Sequence, residues 1–157
     1  MLDLNLKNSK ILIVDDHQSN IDLLVGLLEL QGFNSIQSTS DPLQAVGLFN
    51  SFQPDLILLD LIMPQLSGYE VLAQLKPLIP QGVFCPILVL TADISSNAKQ
   101  KALAEGARDF LTKPFDFAEV WLRIKILLEM RYLYQQLELK NQLLEEKIAQ
   151  LIQATKS

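Results

Sequence analysis

An α/β fold built on one parallel sheet covered on both faces is what this 157-residue sequence predicts, and three observations carry the prediction. Aliphatic runs alternate with helical periodicity five times along the chain. Two of the runs, Ile11–Val14 and Leu56–Leu59, are continuously apolar, as strands buried on both faces are. Both end abruptly in carboxylates, which cannot lie unpaired in a core and must emerge at the strands' carboxyl edge, where open α/β sheets place their ligands.

The elements follow in order. Lys10–Val14 reads as a strand and His17–Gln31 as a helix with Ile21, Leu24, Leu27 and Leu28 on one face; Gly32 ends it. A weaker strand is expected over Phe33–Ser38. Asp41 as N-cap and Pro42 at the first helical position open a helix to about Ser51. The third strand is Leu56–Leu59, and Ser67 or Gly68 opens a helix through Leu75. Pro86–Leu90 is the fourth strand, Asp93 or Ser95 starts a helix to Glu105, and Gly106 closes it. Arg108–Leu111 is a short fifth strand, and from about Asp116 the chain reads as helix to near its end. Short loops imply right-handed crossovers between parallel neighbours.

After Leu127 the sequence changes character: Gly and Pro vanish and Leu, Glu, Gln and Lys dominate. A heptad frame fits, with Leu127, Tyr134, Asn141, Ile148 and Thr155 at a, and Met130, Leu137, Leu144 and Leu151 at d. Leu at d with one Asn at a predicts a parallel two-stranded coiled coil, and Lys140 at g with Glu145 at the next e is placed for an interhelical pair. The division expected is residues 1–127 as one domain and 128–157 as a dimerising helix, with a seam of Leu137, Asn141, Leu144, Ile148 and Leu151.

Composition narrows the function classes. Apolar residues make up 49% and charged residues 20%, ordinary for a folded domain. Residues 1–118 carry 13 acids and 7 bases, and residues 119–157 carry 5 acids and 6 bases. Neither part has the basic stripe of a nucleic-acid binder, so no nucleic acid is expected as a partner. The single Cys85 excludes an internal disulfide and a cysteine zinc site, and reads as a small buried hydrophobe. No basic and apolar leader opens the chain and no run approaches a membrane span, so a cytoplasmic location without membrane insertion is expected.

The chemistry gathers at strand ends. Asp15 and Asp16 follow the first strand and Asp60 the third; Thr91 follows Ile87–Leu90, and Lys113 follows Asp109–Thr112. In the strand order 2-1-3-4-5 of flavodoxin-like sheets, these residues ring one pocket. Three acids together repel one another, and a divalent cation is the natural remedy. A nucleophilic carboxylate, two further acids, a hydroxyl and an ammonium suit phosphoryl transfer to an aspartate. Taken singly, each has a plainer reading: a helix cap for Asp15 or Asp16, a turn for Asp60, a strand end for Thr91, a solvated lysine for Lys113. The joint occurrence decides for function. Phe110 on its strand reads equally as core packing or as a moving part, His17 as a helix-start residue near the pocket, and Trp121 with Leu122, Ile124 and Leu128 as the packing face of the last domain helix.

With Met63-Pro64, Gly68, Thr91-Ala92 and Lys113-Pro114-Phe115 beside the paired acids and Asp60, residues 9–127 resemble the receiver domain of two-component response regulators. The resemblance implies that Asp60 accepts a phosphoryl group from the phosphohistidine of a histidine kinase or phosphotransfer protein. It implies Mg²⁺ held by Asp16, Asp60 and the Ile62 backbone carbonyl, with Asp15 acting mainly through water. Lys113 is implied to contact the phosphoryl group, Thr91 to swing toward it, Phe110 to turn inward as the aromatic switch, and Lys113–Pro114 to be cis. Ile62 and Asp93 match positions that tune phosphate lifetime. The protein is then expected to signal by protein contacts as a parallel homodimer, not as an enzyme, either alone or as the N-terminal part of a larger regulator. Two rivals are disfavoured. A haloacid-dehalogenase-like phosphatase needs an acid where Ile62 stands, and a nucleotide or flavin binder would meet repulsion at Asp15-Asp16.

Overall fold

The computed structural model describes residues 6–93 and 95–156; residues 1–5, 94 and 157 of the expected division lie outside them. Strands Lys10–Val14 (β1), Ser35–Thr39 (β2), Leu56–Leu59 (β3), Ile87–Thr91 (β4) and Asp109–Thr112 (β5) form one sheet. Every pairing is parallel and the order is β2-β1-β3-β4-β5. Helices Gln18–Leu30 (α1), Ala45–Phe52 (α2), Gly68–Leu75 (α3), Ser96–Ala104 (α4) and Phe117–Thr155 (α5) complete the chain.

Strand side chains alternate between two cores, as the two-residue period demands. Ile11, Ile13, Leu56, Leu58, Leu88, Leu90 and Leu111 meet α1 and α5 on one face. Leu12, Val14, Ile57, Leu59, Val89 and Phe110 meet α2, α3 and α4 on the other. This explains the unbroken aliphatic runs, since both parities are buried. Each such side chain contributes roughly 1.5–3 kcal/mol, enough to hold the polar strand ends in place.

Local chemistry sets the boundaries. The Asp41 carboxylate accepts the Leu43 amide at 3.0 Å, and the turn it caps is a 3₁₀ segment, Pro42–Gln44, that leads into α2. Ser67 caps α3, Ser95 caps α4 and Asp116 caps α5, each accepting an amide of its own first turn. Gly32, at φ 97°, closes α1 and turns Phe33 into the core, where its ring meets Trp121 edge-on at 5.9 Å. The second strand therefore starts at Ser35 rather than Phe33. The Lys113–Pro114 peptide is cis.

The long helix departs from the sequence reading in two ways. Leu127, the first a residue of the heptad frame, is buried in its own domain's core with Leu128, and Tyr134, the second, stacks on Phe84 at 5.4 Å. The domain's packing thus reaches past residue 127, because α5 runs on across the amino edge of the sheet before it is free. There Arg131 pairs with Asp55 at 2.7 Å and donates to the Phe84 carbonyl. Leu122 is not on the packing face with Trp121, Ile124 and Leu128; it is exposed, since one residue turns the helix by about 100°.

Candidate functional site

The carboxyl edge of β1, β3, β4 and β5 brings the predicted residues together. The strand register fixes this: the Asp60 amide donates to the Val14 carbonyl at 2.9 Å, and the Lys113 amide to the Thr91 carbonyl at 2.7 Å. Asp15, Asp60 and Thr91 are buried. The Lys113 ammonium lies 2.9 Å from Asp15 Oδ2 and 3.5 Å from Asp60 Oδ2, so one cation ties together acids from two strands. The Ile62 amide donates to Asp60 Oδ1 at 3.2 Å, and the His17 amide to Asp15 Oδ1 at 2.9 Å.

One ammonium does not neutralise three carboxylates. Burial, more than the nearby charges, pushes the Asp60 carboxyl up to about 6; Lys113 pulls it back, while Asp15 and Asp16 push it further. Asp16 Oδ1 is buried with no hydrogen bond aligned on it, although His17 Nδ1 lies 3.1 Å away. Asp15, Asp16, His17 and Asp60 each bring one ligand atom to within 4.8 Å of the others. That set, dominated by hard oxygens, fits a divalent cation of the Mg²⁺ kind.

Access and support are built in. His17, Ser19, Asn20, Asp60, Ile62, Ala92 and Lys113 line an open pocket of about 230 Å³ at this edge. Ala92 leaves room beside Asp60 where a larger side chain would close it. Gly68 holds the other side: a Cβ there would lie 2.3 Å from the Asp60 carbonyl oxygen and 2.5 Å from Leu61 Cα. The loop between Asp60 and α3 can therefore fold back, the Gly68 amide reaching the Leu61 carbonyl at 2.8 Å, only with glycine at that point. Thr91 is wholly buried and its Oγ accepts the Asp93 amide at 3.3 Å. Phe110 is buried against the α2–α4 side of the sheet.

Every residue predicted for the site is at this edge except Phe110, which packs below it. His17, read as a helix-start residue near the pocket, precedes α1 and lines the pocket, its Nδ1 3.1 Å from Asp16 Oδ1. Ser19 and Asn20, at the start of α1, were missed, and only their place one turn after the acids could have marked them. Cys85 is away from this edge, its Sγ 3.4 Å from the Pro54 carbonyl oxygen, and burial pushes its thiol up to about 11.

Comparison with known proteins agrees with this geometry. Residues 11–125 match the response regulator receiver domain family. The chain is 42% identical over 121 residues to the alkaline phosphatase synthesis transcriptional regulatory protein PhoP of Bacillus subtilis, covering 77% of this chain and 49% of that protein. It is 37% identical over 119 residues to the DNA-binding dual master transcriptional regulator RpaA of Synechocystis, covering 76% and 48%. The chain thus spans about half the length of the curated relatives it matches. Among solved structures, the receiver domain of the Francisella response regulator 1452 superposes with a TM-score of 0.70 at 31% identity, over 78% of this chain and 98% of that one. With the family matched across most of its length and the acid-rich strand edge in place, the chain belongs to the receiver domains of two-component response regulators.

Proposed function

We propose that Asp60 is the phosphoacceptor of this receiver, and that a histidine kinase or phosphotransfer protein supplies the phosphoryl group as phosphohistidine. The observation that carries the reading is the Lys113 ammonium lying between Asp15 Oδ2 and Asp60 Oδ2 at the mouth of an open pocket. A carboxylate oxygen of Asp60 attacks phosphorus, the P–N bond breaks, and the imidazole leaves with the electron pair and takes up a proton. Asp15, Asp16, Asp60 and the Ile62 carbonyl would hold Mg²⁺, which supplies charge neutralisation for the phosphoryl oxygens. Lys113 exchanges part of its contact with Asp60 for the incoming phosphoryl group, as a charge-assisted donor. Thr91 gives up the Asp93 amide and turns its hydroxyl to a phosphoryl oxygen, and Phe110 fills the space vacated beneath it.

The C-terminal part of α5 is read as a parallel homodimer seam through Leu137, Asn141, Leu144, Ile148 and Leu151. Leu137, Leu144, Ile148 and Leu151 are more than half exposed on the single chain, and a continuous apolar stripe is not left in water without a partner. This segment is proposed to act through protein contacts in the cytoplasm. Transcriptional and DNA-binding roles are named for relatives about twice the matched length, and this acidic domain carries no basic stripe of its own. Among the described residues, no helix is long and apolar enough to cross a membrane.

The test is labelling with acetyl phosphate and Mg²⁺, followed by intact-mass measurement. One added phosphoryl group is expected on the native chain and none on Asp60→Asn, whose amide is a poor nucleophile. Undiminished labelling of the variant contradicts the assignment.

A further inference from the structure

Little apolar area holds α4 to the domain. Ala98 and Ala102 are the side chains it buries, whereas α3 buries Val71, Leu72 and Leu75. An alanine contributes far less on burial than a leucine or valine, so polar links must supply much of the attachment. They form a continuous path between the two sides of the site. Thr91 Oγ accepts the Asp93 amide at 3.3 Å, Asp93 Oδ1 accepts the Ser95 amide at 3.0 Å, and Ser95 Oγ accepts the Ala98 amide at 3.1 Å. The Ala98 carbonyl oxygen in turn accepts the Tyr69 hydroxyl at 3.2 Å. Tyr69 follows Gly68, whose amide is fixed on the Leu61 carbonyl at 2.8 Å, next to Asp60. The path therefore leaves Thr91, crosses the first turn of α4 and returns to the Asp60 loop.

We infer that Tyr69 is a positioning residue for Thr91: its hydroxyl ties the first turn of α4 to the start of α3 and so keeps the Thr91 hydroxyl on the Asp93 amide. The inference rests on the reading of Asp60 as phosphoacceptor and adds the element that opposes the turn of Thr91. When Thr91 gives up the Asp93 amide, Asp93 and the Ser95 cap lose their anchor on β4. The Tyr69 hydroxyl remains, and it holds the first turn of α4 where it was. The tie thus favours the state in which Thr91 faces Asp93.

The surroundings of Tyr69 suit this part. Its ring packs against the core on the α2–α4 side of the sheet. The Lys101 ammonium lies 4.2 Å from the ring centroid, a cation–π contact that also comes from α4. One side chain of α3 thus meets α4 at two successive turns. Burial first, and then the Asp93 carboxylate, push the phenol up, so the hydroxyl keeps its proton and donates. The tie is a single neutral hydrogen bond, and it biases an equilibrium instead of locking it. The net worth of one such bond is about a fivefold shift between two states. A ligand that needs Thr91 turned toward it gains affinity by that factor when the tie is removed.

Titration of the full chain with beryllium fluoride and Mg²⁺, followed by fluorine NMR, tests this, because the adduct on a carboxylate oxygen imitates the phosphoryl group. Tyr69→Phe keeps the ring, its packing and the Lys101 contact and removes only the hydroxyl; unfolding curves establish that it folds. It should bind the adduct at least threefold more tightly than the native chain. Without the adduct, the amides of residues 96–99 should exchange with deuterium faster than in the native chain. A hydroxyl that merely stabilised the fold would leave the affinity unchanged or lower it. Because Tyr69 acts through Thr91, the gain should vanish in a Thr91→Ala background. An affinity less than threefold tighter, unchanged exchange in α4, or a gain that persists undiminished with Thr91→Ala overturns the inference and leaves Asp60 as the acceptor. A native chain that forms no adduct and takes no phosphoryl label at Asp60 overturns the acceptor reading, and this inference with it.

Discussion

The carboxyl edge of the sheet and the outer face of α5 are both left unfinished by the single chain, but in different currencies. At the edge, three carboxylates face one ammonium, and the deficit is charge confined to a few ångströms. On α5, Leu137, Leu144, Ile148 and Leu151 face water, and the deficit is apolar area spread along the helix. A charge deficit is directional and is relieved only by groups at fixed positions. An area deficit is tolerant of position along the stripe and is relieved by any matching surface. The first predicts all-or-none responses to single atoms; the second predicts graded responses to side-chain polarity.

The largest effect is expected on α5. Leu144→Asp places two carboxylates face to face in the seam, and should raise the dimer dissociation constant by about a hundredfold or more, on the order of 3 kcal/mol. The receiver's unfolding midpoint and labelling should be unchanged, because Leu144 is 57% exposed and lies beyond the domain's own packing. Sedimentation at several concentrations checks it. A variant that dimerises as the native chain does would place the seam elsewhere.

Gly68→Ala should cost the receiver about 3 kcal/mol in urea unfolding, since the added methyl meets backbone atoms of Asp60 and Leu61 that cannot rotate away. It should also slow labelling, by moving the loop that carries Ile62. A change below 0.5 kcal/mol would mean the loop is not held as described.

A smaller and pH-dependent effect belongs to Asp60 itself. Its folded carboxyl titrates near 6, above its ordinary value, so the folded state holds the proton more tightly than the unfolded chain. The stability this gives is complete below the unfolded value and is lost as pH rises through about 6. In EDTA, Asp60→Asn should therefore be more stable than the native chain at pH 7.5, by about 2 kcal/mol once the roughly 3 kcal/mol from linkage is reduced for solvent screening at the open pocket. The gain should shrink through pH 6 and disappear below about pH 4. A gain independent of pH would assign it to packing rather than to the charge.

The two regions also differ in how far the sequence disclosed them. The sheet order, the paired acids, Asp60, Thr91 and Lys113 could be read because each strand end couples an aliphatic run to one chemically distinct residue. The Asp41 cap was readable from the proline that follows it, whereas Ser95 was one of two candidate starts for its helix and Asp116 only an approximate one. What escaped was set by contacts between distant segments. Nothing local to Arg131 announces Asp55 or the Phe84 carbonyl, and nothing local to Tyr134 announces the Phe84 ring. Leu127 and Leu122 show the consequence: a heptad drawn on the sequence ran smoothly through Leu127, but the domain had already claimed that face and left Leu122 outside. Periodicity specifies a stripe; only the tertiary packing says which part of it is free.

The most direct test of the account is to find the atom that carries the phosphoryl group. The full chain, treated with acetyl phosphate and Mg²⁺, is reduced with borohydride, which converts a phosphorylated aspartate to homoserine, and the digested peptides are sequenced by mass spectrometry. Homoserine at position 60, and at neither 15 nor 16, is the predicted result. Homoserine at Asp15 or Asp16, or at a carboxylate away from the Lys113 pocket while position 60 remains aspartate, would contradict it.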